Sequence, residues 1–208
     1  MPVIENRRSG LLLIDLQRAF CDSDGSMAAQ GRPIDAMSEA ARQCQALAQI
    51  AHRHGTPVIW TRMMFAPDYS DGGMLTRLRP GLPKIGALRR GEPDVELSAH
   101  VCAQTDDMIV DKPRYSALIG TNLTAILQEK RVGRVVIGGV TTSMCVESTA
   151  RDLAQRDFEV AVIEEACGDF DAERHRASLT ALAFGFARVL PLRCAPDLFG
   201  DFEFEAIA

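Results

Sequence analysis

The chain has 208 residues, 47% hydrophobic and 25% charged, which suits one compact domain over 1–208 with a sizeable core. A formal net charge of −5, with no long run of Lys or Arg, excludes a phosphate-tracking surface, so nucleic acid is not an expected partner. No segment approaches the roughly 18 consecutive apolar residues of a membrane span, and Met1 to Gly10 lacks the apolar stretch of a secretory signal; the expectation is a cytoplasmic protein with no membrane partner.

Apolar runs of strand length recur along the chain at Gly10 to Asp15, Pro57 to Thr61, Met108 to Asp111, Arg134 to Gly139, Glu159 to Ile163 and Ala187 to Leu190. Helical patterns separate them. The clearest runs from Pro33 to His54, with Met37, Ala41, Cys44, Leu47, Ala48 and Ala51 on one face and Gly55 as its stop. Thr121 to Lys130, Ser143 to Gln155 and Ala172 to Phe184 read as further helices. This alternation predicts an α/β fold, a doubly wound (Rossmann-like), six-stranded, mostly parallel sheet with helices on both faces. Between Met63 and His100 the pattern breaks under repeated Pro and Gly, and this excursion is expected to be a lid, a binding loop or an interface arm.

In open α/β sheets ligands bind beyond the carboxyl ends of the strands, which directs the search for chemistry. The first strand closes on Asp15, the third ends near Lys112, and the fourth turns through Gly138 and Gly139 into a helix that carries Cys145. A thiol in a first helical turn is favoured as thiolate by unpaired N–H groups, although a buried core thiol beside a tight turn has the same pattern. Asp15, following four apolar residues, should be desolvated and suited to proton transfer; a cap or an Asx-turn is the structural alternative. Lys112 would balance the charge of such a pair, or simply pack its stem on the sheet. The six cysteines are scattered with no C-x-x-C pair, so reduced thiols are expected.

Asp15-Leu16-Gln17-Arg18-Ala19-Phe20, Asp111-Lys112-Pro113-Arg114-Tyr115-Ser116 and Gly139-Val140-Thr141-Thr142-Ser143-Met144-Cys145-Val146-Glu147-Ser148-Thr149 resemble, in order and spacing, the three motifs of the isochorismatase-like cysteine hydrolases. The resemblance covers about residues 9 to 190, and is nearest to the ureidoacrylate amidohydrolase and biuret hydrolase side of that family. It implies that Asp15 accepts the thiol proton, Cys145 attacks a carbonyl and Lys112 holds the pair charged. It also implies a cis peptide between Val140 and Thr141, with the N–H groups of Thr141 and Cys145 forming an oxyanion hole. The product would be a thioester, cleaved by water, from a small amide, carbamoyl or ureido substrate.

Departures narrow the implication. Where nicotinamidases of this family carry an Asp-x-His metal site, the chain reads Met63-Met64-Phe65, so no metal and no cofactor are expected. His52 and His54 fit a helix C-terminus, and His100 and His175 stand alone. The late glutamine of biuret hydrolases has no counterpart near Phe184 and Gly185, which argues against biuret itself. Phe20, Tyr115 and Met144 are candidates for an apolar substrate wall, with core packing an equal account. Arg62 is a candidate for a substrate carboxylate or for a surface ion pair. Asp68, Asp71, Arg77 and Arg79 could line a pocket mouth. A homodimer or homotetramer is expected from the relatives. Two other readings stay open: isochorismatase-type vinyl-ether hydrolysis, and a non-catalytic interaction protein on the same scaffold.

Overall fold

The computed structural model describes residues 8–199; the two ends of the expected 1–208 domain, including all but the last three residues of the Met1 to Gly10 stretch, lie outside the described residues. Six strands form its sheet: β1 (Arg8–Ile14), β2 (Val58–Met63), β3 (Met108–Lys112), β4 (Val132–Val140), β5 (Glu159–Gly168) and β6 (Arg188–Leu190). The helices are α1 (Arg18–Cys21), α2 (Ser26–Ala29), α3 (Asp35–Arg53), α4 (Gly73–Leu78), α5 (Gly81–Ile85), α6 (Leu123–Glu129), α7 (Glu147–Ala154), α8 (Ala172–Gly185) and α9 (Ala195–Phe199).

Every strand pairing is parallel and the order is β3-β2-β1-β4-β5-β6. Gly10 to Ile14 are all buried whichever way the pleat points them, because helices cover both faces of the sheet. The order reverses between β1 and β4, so the loops leaving those two strands diverge and open a crevice at their carboxyl ends. Asp15 leaves β1 there, and Cys145 follows β4.

Three local features set the chain path at this crevice. Gly139 has φ 135°, and a Cβ there would meet the Ile14 carbonyl oxygen at 2.2 Å, so only glycine lets β4 pass β1 at this height. The peptide Val140–Thr141 is cis. Asp15 itself sits in the left-handed region at φ 56°, a conformation Asp tolerates better than most residues, and this turns the chain off β1.

Two expectations change. The helix predicted from Ser143 begins instead as a π-helical turn, Thr142–Val146, and becomes regular only at Glu147; Thr142 and Ser143 also bond sideways, to Gly168 at the end of β5 and to Asp169 just past it. Pro33 precedes α3 rather than lying in its first turn. The excursion from Met63 to His100 contains α4, α5 and a 3-10 turn at Pro93–Val95, and it is tied down rather than loose. Phe65 exchanges backbone bonds with Leu88 and Arg90, and Asp94 accepts from the Ser26 N–H, the Ser26 hydroxyl and the Leu88 N–H.

Candidate active site

Asp15, Lys112 and Cys145 come from three different strand ends and meet beneath one cavity. Lys112 Nζ lies 2.7 Å from Asp15 Oδ2, and both side chains are fully buried. The ammonium also donates to the carbonyl oxygens of Arg114 and Tyr115 at 3.0 and 3.1 Å. These two carbonyls lie in the turn straight after β3, so the strand end folds over its own lysine. Asp15 Oδ1 accepts from the Thr61 hydroxyl at 2.7 Å, and the backbone of the same two residues pairs at 3.1 Å. One carboxylate oxygen is thereby fixed, while Oδ2 faces the ammonium with no aligned donor of its own.

The charges of Asp15 and Lys112 both act on the Cys145 thiol. Burial pushes its pKa up to about 12; Lys112 opposes that rise and Asp15 adds to it. This desolvation works against the thiolate-favouring field of the helical turn. Burial by itself would lower the Lys112 pKa, but the neighbouring Asp15 and Cys145 more than compensate, and the ammonium is held above its ordinary value.

The turn carrying Cys145 is braced on several sides. Asp169, just past β5, accepts from the Ser143 N–H at 2.8 Å and from its hydroxyl at 2.7 Å. Thr142 Oγ1 bonds the Gly168 carbonyl at 3.0 Å and lies 2.8 Å from His175 Nδ1 on α8. The Thr149 hydroxyl donates to the Cys145 carbonyl at 2.7 Å and accepts from the Ala117 N–H at 3.0 Å. Ser116 donates to Asp152 at 2.5 Å. The polar residues flanking the lysine and cysteine motifs thus clamp the two segments together.

Above the thiol is a cavity of about 260 Å³ whose lining includes Thr141, Cys145, Phe20, Tyr115 and Met144. The three residues proposed as an apolar wall are therefore brought together at one surface. Cys145 is 4% exposed, enough for its edge to reach that space. The excursion supplies much of the roof, including Leu75, Leu78, Arg79 and Leu82. Arg62 is not part of this surface. It forms a two-pronged pair with Asp111, at 2.8 and 3.2 Å, and reaches Glu96 at 3.3 Å. Its strand position turns it to β3 and away from the crevice, so the ion-pair alternative holds and the substrate-carboxylate role does not. Asp68, Asp71 and Arg77 do not line the cavity, whereas Arg79 does.

Met63, Met64 and Phe65 are buried thioether and phenyl groups, a poor donor set for a hard or borderline metal ion. Among the described residues no three His, Cys, Asp or Glu side chains gather into a metal cluster. No described helix is long and apolar enough to cross a membrane.

Sequence reading missed several residues that shape the site. Thr61 and Asp169 stand at or beside strand ends, the same location that drew attention to Asp15. Gln17 is buried and locks the first motif to the end of β2, accepting from the Met63 N–H at 2.7 Å and donating to the Met63 and Val95 carbonyls at 3.0 Å. Its position inside the first motif was the available signal.

A parallel sheet with ionisable groups gathered at its reversal point, under a small apolar cavity, defines an α/β enzyme for a small molecule. The isochorismatase domain model matches residues 9–193, and the chain belongs to the isochorismatase family. It is similar to maleamate amidohydrolase of Pseudomonas putida, with 28% identity over 83% of this chain and 78% of that protein. It is also similar to ureidoacrylate amidohydrolase RutB of Acinetobacter baylyi, with 26% identity over 83% of this chain and 76% of that protein. Among solved structures, a cysteine hydrolase from Pseudomonas syringae pv. phaseolicola superposes with a TM-score of 0.85 at 28% identity, covering 92% of each chain. These amidohydrolase relatives support a hydrolase of small amides.

Proposed function

We propose that the chain is a cysteine hydrolase that cleaves the C–N bond of a small amide, carbamoyl or ureido substrate. The observation that supports this most is the gathering of a thiol that lines one apolar cavity with a carboxylate and an ammonium buried behind it. Because the resting thiol keeps its proton, attack requires a base in contact with it, and Asp15 is that base. The proton moves from Cys145 Sγ to Asp15 Oδ2, the oxygen without an aligned donor, as the sulfur attacks the carbonyl carbon. Lys112 stays charged and stabilises the anionic character that passes between carboxylate and sulfur. The N–H groups of Thr141 and Cys145 receive the carbonyl oxygen as it gains charge.

Collapse of the tetrahedral species breaks the C–N bond, and Asp15 returns its proton to the leaving nitrogen. The acyl or carbamoyl group is then held as a thioester on Cys145. Water, deprotonated by Asp15, attacks that carbonyl and regenerates the thiol. The two amidohydrolase relatives agree with this bond and substrate class.

Release of ammonia or amine from a panel of ureido acids, carbamoyl compounds and small amides tests the scheme. Cys145→Ala is expected to abolish turnover while the fold persists, and mass spectrometry of a slow substrate should trap the acyl adduct. Full activity in that variant would remove the proposal; activity lost only in Asp15→Asn would point to carboxylate-led cleavage instead.

A further inference from the structure

The roof of the cavity is lightly anchored. Among the described residues, the stretch 68–86 that carries α4 and α5 has a single N–H···O hydrogen bond to chain outside the 63–100 excursion: Arg114 Nη1 donates to the Asp71 carbonyl at 2.9 Å. Apart from a long 3.9 Å approach of Arg79 to the Met144 sulfur, its other polar bonds stay inside the excursion, as with Asp71 to the Ala66 N–H and Tyr69 to the Ala87 carbonyl. Apolar packing holds only one side of α4, because Leu75 is buried while Met74 and Leu78 are 63% and 73% exposed.

The same Arg114 nitrogen donates to the Pro113 carbonyl at 2.7 Å, so one guanidinium joins the turn before α4 to the turn after β3. Its other terminal nitrogen lies against Gly73, where an added Cβ would meet Arg114 Nη2 at 2.6 Å. That approach needs a residue without a side chain, and the φ of 56° at Gly73 favours glycine as well. The Arg114 backbone, meanwhile, accepts from Lys112 Nζ at 3.0 Å. Roof and buried ammonium therefore share one residue. Leu75, Leu78 and Arg79 line the cavity with Cys145, whereas Arg114 does not. We infer that Arg114 is a positioning residue, which fixes the height of α4 above Cys145 and so sets the bulk of the group that can reach the thiol. A charged donor held by two carbonyls is a strong tether, and without it the half-exposed helix rides outward and the space over the thiol grows. The inference goes beyond the hydrolytic reading and does not depend on it, since it concerns access to Cys145.

Access is read without turnover. Alkylation of Cys145 by iodoacetamide and by the bulkier N-phenylmaleimide is followed by peptide mass spectrometry, each rate taken relative to exposed Cys102. The wild type should favour the small reagent at Cys145 by about tenfold or more, and Arg114→Met should shrink that preference by about threefold or more. Arg114→Lys, whose ammonium lacks the planar fork, should fall between them. Gly73→Ala pushes the guanidinium away from the other side and should reproduce Arg114→Met; the double variant should match Arg114→Met alone, because both changes break one contact. Buried Cys21 and Cys44 should stay unmodified throughout, which a general loosening of the fold would not allow. If Arg114→Met does not fold, Gly73→Ala and Arg114→Lys carry the same comparison. A shifted preference in a protein that hydrolyses no amide would uphold the roof inference and remove the hydrolytic reading. A reagent preference unaltered by these substitutions, or equal unmasking of Cys21 and Cys44, overturns the inference.

Discussion

Lys112 Nζ and Asp15 Oδ2 lie 2.7 Å apart with neither side chain open to solvent, although β3 and β1 are separated in the sheet by the whole of β2. Two opposite charges sealed in this way are tolerable only together, because each loses its hydration and recovers it from the other and from fixed partners such as Thr61 and the Arg114 and Tyr115 carbonyls.

Removing one member should therefore be far costlier than removing both. Lys112→Met is expected to destabilise the fold by about 3–5 kcal/mol, since it strands a buried carboxylate. Asp15→Asn should cost less, because the ammonium keeps two carbonyl acceptors. The double variant should be more stable than the sum of the single changes implies. Urea unfolding of the four proteins measures this, and strict additivity would contradict the pairing.

Stability should fall at alkaline pH. Burial pushes the thiols of Cys145 and Cys167 up to about 12 and raises those of Cys21 and Cys44 as well. The native state keeps these protons, while the unfolded chain releases them near about pH 8.5–9. Their contribution is thus complete below that range and is lost as pH climbs through it towards the native values. The slope is at most about 1.4 kcal/mol per pH unit for each thiol. Urea midpoints at about pH 8 and about pH 10 should differ in that direction; an unchanged midpoint would mean that these thiols ionise in the folded protein.

Gly139→Ala should abolish the fold or the soluble yield. An added Cβ would meet the Ile14 oxygen at 2.2 Å and its nitrogen at 2.6 Å, both in backbone of the central strand that cannot move aside. The φ of 135° is moreover outside the range alanine adopts without strain. Soluble expression and thermal melting report the result, and a variant within about 1 kcal/mol of wild type would mean that β1 and β4 separate easily.

Thr149→Val tests the brace behind the nucleophile. The substitution keeps the shape but removes the hydroxyl that joins the Cys145 carbonyl to the Ala117 N–H. Leaving those buried groups without this partner should cost about 1–3 kcal/mol of stability. It should also lower kcat more than it alters KM, since the residue touches the cysteine's backbone and not the cavity. A loss confined to KM would place Thr149 in substrate binding instead.

Much of this molecule was legible in the amino-acid order. Six apolar runs of strand length, separated by helical patterns, predict a doubly wound parallel sheet because both faces of each strand must be hydrocarbon. The strand-end rule then draws attention to Asp15, Lys112 and Cys145 as candidates in a chain with 28 acidic residues and six cysteines, and the family resemblance gives each of them a role. Phe20, Tyr115 and Met144 followed from proximity to those residues in the chain. The roles of Thr61, Gln17 and Asp169 were not legible, because a hydrogen bond between residues tens of positions apart leaves no periodicity behind.

What the sequence determined by itself was the alternation of buried strand and amphipathic helix, a pattern that depends only on which neighbours along the chain are apolar. Three properties came from tertiary structure. The thiol's pKa is raised because burial, a property of the assembled core, outweighs the effect of the ammonium beside it. Arg62 is withdrawn to Asp111 and Arg79 is delivered to the cavity because strand register and the folding back of the 63–100 excursion decide which way each side chain points. The Asp15–Lys112 pair exists because the β3-β2-β1 order brings two strand ends distant in sequence to the same end of the sheet, where little water screens their attraction.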